Sequence, residues 1–258
     1  RMMTGWVGEA AELALSLHRH TGALRFKRGR EVVTEADQRI ELLLRERIGA
    51  AFPDDAVVGE EFGGEDSDGL RQRAGRVWQL DPIDGTLNFA LGLPGFCTSI
   101  ACLEDGRPVA ACIAEPATGD RYTALRGGGA RRNGERLSVS ERAPLAEAVV
   151  SLQIRKRGRV GSDPQLLHDL VQRSLKVRKV GAVALEMAWV AAGAFDGLVA
   201  GSAVPVPVHD VAAGWLLVEE AGGRVSGLDG ARWRPGDKDL VVSNGHVHDE
   251  LLALLRGD

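Results

Sequence analysis

Residues 79–89 carry the string that decides the fold, Gln79-Leu80-Asp81-Pro82-Ile83-Asp84-Gly85-Thr86-Leu87-Asn88-Phe89. An apolar run with strand character precedes Asp81, so we expect the carboxylates of Asp81 and Asp84 where that strand ends. Pro82 disfavours a continuous helix through both, and Gly85 permits a sharp turn. Thr86 adds a hydroxyl and a backbone N–H close to where a short helix would begin. Oxygen ligands beside the N–H groups of a turn suit a divalent cation together with a phosphate.

Each aspartate of this string also has a simpler explanation. An Asp at the end of a strand is more often a helix cap or a turn former than a metal ligand. A calcium loop is a second alternative, but it requires a Glu at the twelfth position, and counted from Asp81 that residue is Gly92. The string as a whole, together with acidic motifs elsewhere in the chain, favours a metal site.

Four motifs resemble those of one known family in their residues, their order and their spacing. They are Val33-Thr34-Glu35-Ala36-Asp37, Gly59-Glu60-Glu61, the nine residues from Asp81 to Phe89, and His209-Asp210-Val211-Ala212-Ala213-Gly214. The family is that of the inositol monophosphatases, which are magnesium-dependent, lithium-sensitive phosphatases. The resemblance spans nearly the whole chain. It implies an α+β or α/β fold, the layered α-β-α-β-α sandwich of the inositol monophosphatase and fructose-1,6-bisphosphatase type.

The resemblance implies two or three Mg²⁺ ions in one acidic site. The implied ligands are the side chains of Glu60, Asp81, Asp84 and Asp210 and the carbonyl of Ile83. Adjacent residues of an extended segment point to opposite sides, so only one of Glu60 and Glu61 can face the metals, and the resemblance selects Glu60. Four like charges in one pocket repel each other, and divalent cations remove that cost.

Two residues near the second-half ligand leave alternatives open. Asp210 precedes a helix that we expect over residues 211–221, and a role as its N-cap is chemically adequate alone. His209 occupies a position where the family more often has Trp. We interpret His209 as a packing substitution rather than as a new catalytic base.

The resemblance also implies groups that act on the attacking water and hold the phosphate. Thr86, tied to Asp37, would orient or deprotonate a water that Glu60 helps to bind. Asp37 also stands three residues after Thr34, which is the spacing of a helix capping box, and we favour both roles together. The N–H groups of Gly85 and Thr86 would bind phosphate oxygens.

A basic turn, Lys27-Arg28-Gly29-Arg30, precedes these motifs. A solvated loop is the ordinary explanation of such a turn. The resemblance places a phosphate-binding cation in this neighbourhood, and we assign it to Lys27, with Arg30 as the alternative.

The reaction that the resemblance implies is direct hydrolysis of a phosphate monoester by metal-activated water, with no nucleophilic Ser or Cys. The substrate would be a small sugar, a cyclitol or a related monophosphate. In inositol-cleaving members an acidic residue lies seven positions before the second-half Asp, and here that position is Ala203; Ala182 likewise stands where the family often has Ser or Thr. Histidinol phosphate and nucleotide 3′-phosphates are therefore alternatives, as is a chain that acts mainly as an interaction protein.

Composition narrows the function classes. The chain has 258 residues, a net charge of −4 and a pI near 5.9, which gives no support to a nucleic-acid partner. Its three cysteines form no C-x-x-C pair, so we expect small buried thiols and a reducing, cytoplasmic environment. No apolar run approaches the roughly 18 residues that span a bilayer, so we expect no membrane partner. The resemblance implies a homodimer.

The pattern of helices and strands predicts two halves. Residues 1–143 should form an α+β half with helices at 6–20 and from Thr34 onward on an antiparallel sheet, in which Glu104-Asp105-Gly106 forms a hairpin turn. Residues 144–258 should form an α/β half that supplies Asp210, because strands there alternate with helices. The helices predicted in the second half cover 163–175, 182–192, 211–221 and 247–255.

Overall fold

The computed structural model of the chain describes residues 2–18, 25–26, 32–63, 75–154, 164–201 and 204–257. The predictions for Lys27, Arg30, Ala203 and Asp163, the first residue of a predicted helix, lie outside these residues. Strands β1 (Arg25–Phe26) and β2 (Val32–Val33), of two residues each, pair with each other in antiparallel orientation. Among the described residues, none of the helices is both long and apolar enough to cross a membrane.

A seven-stranded sheet in sequence order forms the first β layer. Its strands are β3 (Ala56–Gly59), β4 (Arg76–Asp84), β5 (Cys97–Glu104), β6 (Arg107–Glu115), β7 (Asp120–Leu125), β8 (Gly129–Arg132) and β9 (Glu135–Arg136). The predicted hairpin between β5 and β6 is present, with positive φ at Asp105 (50°) and Gly106 (72°), as a primed turn requires. The sheet is not wholly antiparallel as predicted, because β3 pairs parallel to β4. Parallel neighbours cannot be joined by a two-residue turn, and residues 60–75 separate these two strands in the sequence.

Two helices cover the outer face of this sheet, α1 (Met2–Leu17) and α2 (Glu35–Ala51). The first begins four residues earlier than predicted. The second begins where the capping box predicts, since Thr34 and Asp37 make both reciprocal bonds. Apolar side chains of both helices, including Val7 and Ile40, form one buried cluster with the sheet.

A five-stranded sheet forms the second β layer, in the order β11-β10-β12-β14-β13. Its strands are β10 (Val149–Ile154), β11 (Lys176–Arg178), β12 (Gly197–Gly201), β13 (Arg224–Ser226) and β14 (Asp239–Ser243). Strand β10 pairs parallel to both β11 and β12, whereas β14 runs antiparallel to both of its neighbours. The sheet is therefore mixed, as α/β layers with added antiparallel strands commonly are.

Between the two sheets lie α5 (Val183–Ala191) and α6 (Val208–Glu220). Both are largely buried, as expected for helices covered on two sides. They approach closely at Gly214, where a Cβ would stand 2.5 Å from Met187 Cβ. On the outer face of the second sheet lie α4 (Pro164–Arg173) and α7 (His248–Arg256). This order of layers confirms the predicted α-β-α-β-α sandwich.

Two element boundaries bear on the site. Strand β4 runs through both aspartates and ends at Asp84, so the two carboxylates stand at the strand end as predicted. Helix α6 begins at Val208, with Pro207 as its N-cap, so Asp210 lies inside the first helical turn and is not the cap. Pro207 fixes an extended conformation before the helix and favours this early start. The division into halves at residue 143 stays a prediction.

Candidate active site

The end of β4 is irregular where the two aspartates stand. Asp81 pairs with Ser99 of β5 and Asp84 with Cys97, and the register shifts between these pairs. Pro82 lies in this gap, where its missing N–H costs no ladder bond. Its carbonyl accepts a hydrogen bond of 2.8 Å from Thr98 Oγ1. The bulge presents both carboxylates from one strand end.

The Asp81 carboxylate is buried, and its Oδ1 has no hydrogen-bond partner among the described residues. Burial raises the pKa of Asp81 well above its usual range, and the charges of Glu60, Asp84 and Asp210 raise it further. A buried oxygen without a partner is costly to a folded protein. Asp81 is therefore the side chain in this site that most needs a cation.

The Asp84 carboxylate accepts two backbone hydrogen bonds from the start of helix α5. The Val183 N–H donates to Oδ1 at 3.0 Å, and the Leu185 N–H donates to Oδ2 at 3.2 Å. Ala182, the N-cap residue of that helix, offers no side-chain bond. Burial, followed by the charge of Asp210, raises the pKa of Asp84 to about 8. Asp84 thus caps helix α5, a contact that the sequence did not predict.

The turn after Asp84 requires glycine. Gly85 has φ of 87°, and a Cβ there would stand 2.8 Å from the Gly95 carbonyl oxygen. The short helix α3 (Thr86–Ala90) follows directly. The first N–H groups of α3 have no acceptor within the helix, as at every helix start, and Gly85 at its N-cap offers no side-chain bond.

The Thr86 hydroxyl reaches two acceptors. Its Oγ1 lies 2.9 Å from the Ile83 carbonyl oxygen and 3.3 Å from Asp37 Oδ1. Asp37 Oδ2 meanwhile accepts from the backbone N–H of Thr34 at 2.8 Å and from its hydroxyl at 2.5 Å. Burial raises the pKa of Asp37 to about 6, against the Thr34 hydrogen bonds that lower it. Asp37 therefore both completes the capping box and contacts Thr86.

Glu60 and Asp210 approach the same strand end from other elements. Glu60 follows β3, its N–H donates to the Leu80 carbonyl at 3.2 Å, and its charge raises the pKa of both Asp37 and Asp81. Asp210 is largely buried in the first turn of α6. His209 Nε2 lies 3.1 Å from Asp210 Oδ1, so this histidine makes a polar contact rather than only packing.

The donor set fits a hard divalent cation. Every implied ligand is an oxygen, and the unpartnered Asp81 Oδ1 points to a missing positive charge. Within the described part of the chain, no three His, Cys, Asp or Glu side chains already stand where they could hold one metal ion together. In this structure the Asp84 carboxylate accepts a hydrogen bond from the start of helix α5, and the Asp210 carboxylate contacts His209.

Comparison with known proteins gives a consistent result. A model of the inositol monophosphatase family matches residues 4–257. The chain is 34% identical over 226 residues to a fructose-1,6-bisphosphatase/inositol-1-monophosphatase of Thermotoga maritima, covering 88% of this chain and 83% of that protein. It is 38% identical over 229 residues to a histidinol-phosphatase of Mycobacterium tuberculosis, covering 86% and 84%. The solved structure of a Thermotoga maritima IMPase superposes with a TM-score of 0.89 at 31% identity, covering 99% of this chain and 95% of that one.

Proposed function

The chain belongs to the inositol monophosphatase family, and we propose from this that it is a metal-dependent phosphatase that hydrolyses a small phosphate monoester. The observation that carries the proposal is the group of buried carboxylates at the end of β4, whose members raise one another's pKa. Such a group is unfavourable without a cation and favourable with one.

We propose Mg²⁺, two or three ions per site, held by Glu60, Asp81, Asp84, Asp210 and the Ile83 carbonyl. Mg²⁺ prefers carboxylate and carbonyl oxygens and keeps several waters. Bound there, Mg²⁺ supplies positive charge that favours ionisation of an attacking water and offsets charge on the leaving oxygen. In the family this chemistry is lithium-sensitive, and we expect Li⁺ to inhibit this protein too.

The chain's own residues orient the water and the phosphate. The Thr86 hydroxyl has one hydrogen and two acceptors, Asp37 and the Ile83 carbonyl. An ionised Asp37 carboxylate draws that hydrogen, so the Thr86 oxygen can accept from the attacking water. The backbone N–H groups of Gly85 and Thr86 then hold phosphate oxygens at the start of α3. Lys27 is proposed as a further phosphate contact on the resemblance alone.

The substrate proposed is a sugar, cyclitol or related monophosphate. The names of its relatives include inositol-1-monophosphatase and histidinol-phosphatase. Ala203 lacks the acidic group that inositol-cleaving members place there, and Ala182 has no hydroxyl. The 38% identity to a histidinol-phosphatase favours histidinol phosphate as the second candidate substrate.

Two further properties are proposed, the oligomeric state and the location in the cell. The resemblance suggests a homodimer, and the exposed side chains of Leu87, Leu91 and Leu93 offer apolar surface that such a dimer would bury. Light scattering at micromolar concentration tests this, and a monomer there contradicts it. We propose a cytoplasmic location because Cys97, Cys102 and Cys112 are all free and buried.

The proposed function is tested by phosphate release from a panel of monophosphates, with and without Mg²⁺. We expect Mg²⁺-dependent turnover that Li⁺ inhibits and that Asp84→Asn lowers by about 100-fold or more, within the range of measured effects of metal-site and catalytic groups. Asp54→Asn, at an exposed aspartate, is the matched control and should match wild type. Asp84→Asn activity equal to wild type would remove the proposal.

A further inference from the structure

Helix α2 carries a second buried acidic residue one turn after Asp37. The side chain of Glu41 is fully buried, although its neighbours on this helix face are the apolar Ile40, Leu44 and Ile48. A buried carboxylate on an apolar face needs hydrogen-bond donors and a positive partner. The partners of Glu41 therefore indicate its role.

The donors come from the segment that carries Glu60. Glu41 Oε2 accepts from the Glu61 N–H at 2.7 Å, and Oε1 accepts from the Phe62 N–H at 3.2 Å. The N–H of Glu60 itself donates to the Leu80 carbonyl, in the residue before Asp81. The peptide of Glu60 is therefore fixed on one side to β4 and on the other to Glu41.

The positive partner is Arg45, one turn further along α2. Its Nε and one terminal nitrogen lie 2.8 Å from Glu41 Oε1. The same guanidinium donates to the carbonyls of Val57, at 3.2 Å, and Gly63. Arg45 thus neutralises Glu41 and binds both ends of the segment 57–63.

Gly59 shows how closely this arrangement is packed. A Cβ at Gly59 would stand 2.1 Å from Glu41 Oε1 and 2.6 Å from Oε2. The main chain before Glu60 can lie against the carboxylate only because this residue has no side chain. Contact with the Glu41 carboxylate therefore explains why the Gly59-Glu60-Glu61 motif begins with glycine.

We propose that Glu41 is the positioning residue for Glu60, an inference that rests on the proposed function. Asp37 and Glu41 are four residues apart, so they lie on one face of α2. Asp37 contacts Thr86, and Glu41 holds the peptide that follows Glu60. One helix face therefore sets the separation between the Thr86 hydroxyl and the Glu60 carboxylate, the two groups that meet the attacking water.

The test compares Glu41→Gln with wild type in metal affinity and in kinetics. Gln keeps the shape of Glu but offers one acceptor for two N–H donors and no charge for Arg45. Mn²⁺ replaces Mg²⁺ as the probe, and its free concentration is followed by electron paramagnetic resonance. We expect the Mn²⁺ dissociation constant to rise about tenfold or more and kcat to fall by a similar factor, the usual effect of removing a group behind a metal ligand. KM should change less than about twofold, because Glu41 touches no substrate.

Glu46→Gln is the matched control, since Glu46 lies on the same helix with its side chain 75% exposed. It should leave metal affinity, kcat and thermal stability unchanged. If Glu41→Gln does not fold, Arg45→Gln is the second variant. It loses the guanidinium that donates to the carbonyls of Val57 and Gly63, so it should also weaken Mn²⁺ binding.

The outcomes separate this proposal from the proposed function. A folded Glu41→Gln or Arg45→Gln with a lower Tm but wild-type Mn²⁺ affinity and kcat would overturn the positioning role and leave the phosphatase intact. A wild type that releases no phosphate, with Mn²⁺ affinity still weakened by Glu41→Gln, would overturn the phosphatase and keep the positioning role.

Discussion

Asp84 Oδ1 lies 3.0 Å from the backbone nitrogen of Val183, although 99 positions separate the two residues. The bond joins the end of β4 in the first sheet to the start of helix α5 between the sheets. The same carboxylate is a proposed metal ligand. Each of its oxygens can accept a second partner, so capping the helix and binding a cation are compatible. Asp84 therefore connects the packing of the two sheets to the chemistry of the site.

The first prediction concerns the pH dependence of the metal-free protein. The folded pKa of Asp84 is about 8, raised from 3.8. Between these values the folded protein holds a proton that the unfolded chain has lost, so this contribution to stability is lost as pH rises through about 8. Unfolding by urea in the presence of a chelator should show wild type losing roughly 1 kcal/mol or more, relative to Asp84→Asn, between pH 5 and pH 8.5.

Magnesium supplies the control for this prediction. Because the cation neutralises the ionised carboxylates, it should stabilise wild type more at pH 8.5 than at pH 5, and at pH 8.5 it should stabilise Asp84→Asn much less than wild type. If the free energy of unfolding changes with pH in the same way for both metal-free proteins, the pKa of Asp84 is not raised in the folded state and the prediction is contradicted.

The second prediction concerns the Thr86 hydroxyl. Thr86→Val keeps the size of the side chain but removes the group that bonds Asp37 and the Ile83 carbonyl. We expect kcat to fall by about 10²-fold or more with KM little changed, because general-base assistance is worth about 10²–10⁴-fold. Steady-state kinetics measure this, and Thr86→Ser, which keeps the hydroxyl, should retain most of the activity. Equal kcat for the Val and Ser variants would exclude Thr86 from the reaction.

The third prediction concerns His248, which is buried between two serines. Its Nδ1 lies 2.8 Å from Ser243 Oγ and its Nε2 lies 2.9 Å from Ser226 Oγ. Burial lowers the pKa of His248 to about 4 from 6.5. The unfolded chain takes up the proton first, so this stability is complete above pH 6.5 and is lost as pH falls toward 4.

Urea unfolding at pH 7 and pH 4.5 measures the effect. His248→Gln should remove about 2 kcal/mol of the loss that wild type suffers between these two values, whereas His168→Gln, at an exposed histidine, should not. The same acid-induced loss in wild type and His248→Gln would show that His248 is not the responsible group.

Several features of this structure could be predicted from the sequence. The capping box of Thr34 and Asp37, the hairpin at Asp105 and Gly106, and the three buried cysteines are all present as predicted. Each depends on neighbours a few residues apart or on the chemistry of one side chain, so the local sequence determines it. The layered sandwich followed from the resemblance carried by four motifs.

Other features depend on contacts between distant segments and were missed. No local pattern indicates that Asp84 caps helix α5, although the lack of a polar residue at Ala182 leaves that helix end in need of a partner. The role of Glu41 was not predicted because this residue lies on an apolar helix face. Arg45, four residues later, could have indicated an ion pair with Glu41. The early start of α6 was missed for a third reason, because Pro205 and Pro207 before it favour an extended chain.

The fourth prediction concerns substrate choice. Ala203 stands where inositol-cleaving members carry an acidic residue, so Ala203→Glu should restore an acceptor for a ring hydroxyl. A hydrogen bond to a charged group is worth about 1.5–3 kcal/mol. We expect kcat/KM for myo-inositol 1-phosphate, relative to histidinol phosphate, to rise about tenfold. Ala203→Leu, which adds bulk without an acceptor, should not raise it, and a dominant preference of the wild type for inositol 1-phosphate would contradict the inference.

The central claim is that carboxylates distant in sequence act together with a divalent cation to hydrolyse a phosphate ester. Asp81 tests it most directly, because its Oδ1 is buried without a partner among the described residues. The measurement is phosphate release by chelator-treated wild type and Asp81→Asn as Mg²⁺ is added back. We predict that wild type recovers its full rate and that Asp81→Asn stays at least about 100-fold slower at every Mg²⁺ concentration. Equal rates for the two proteins, or a wild-type rate that chelation does not change, would contradict the claim.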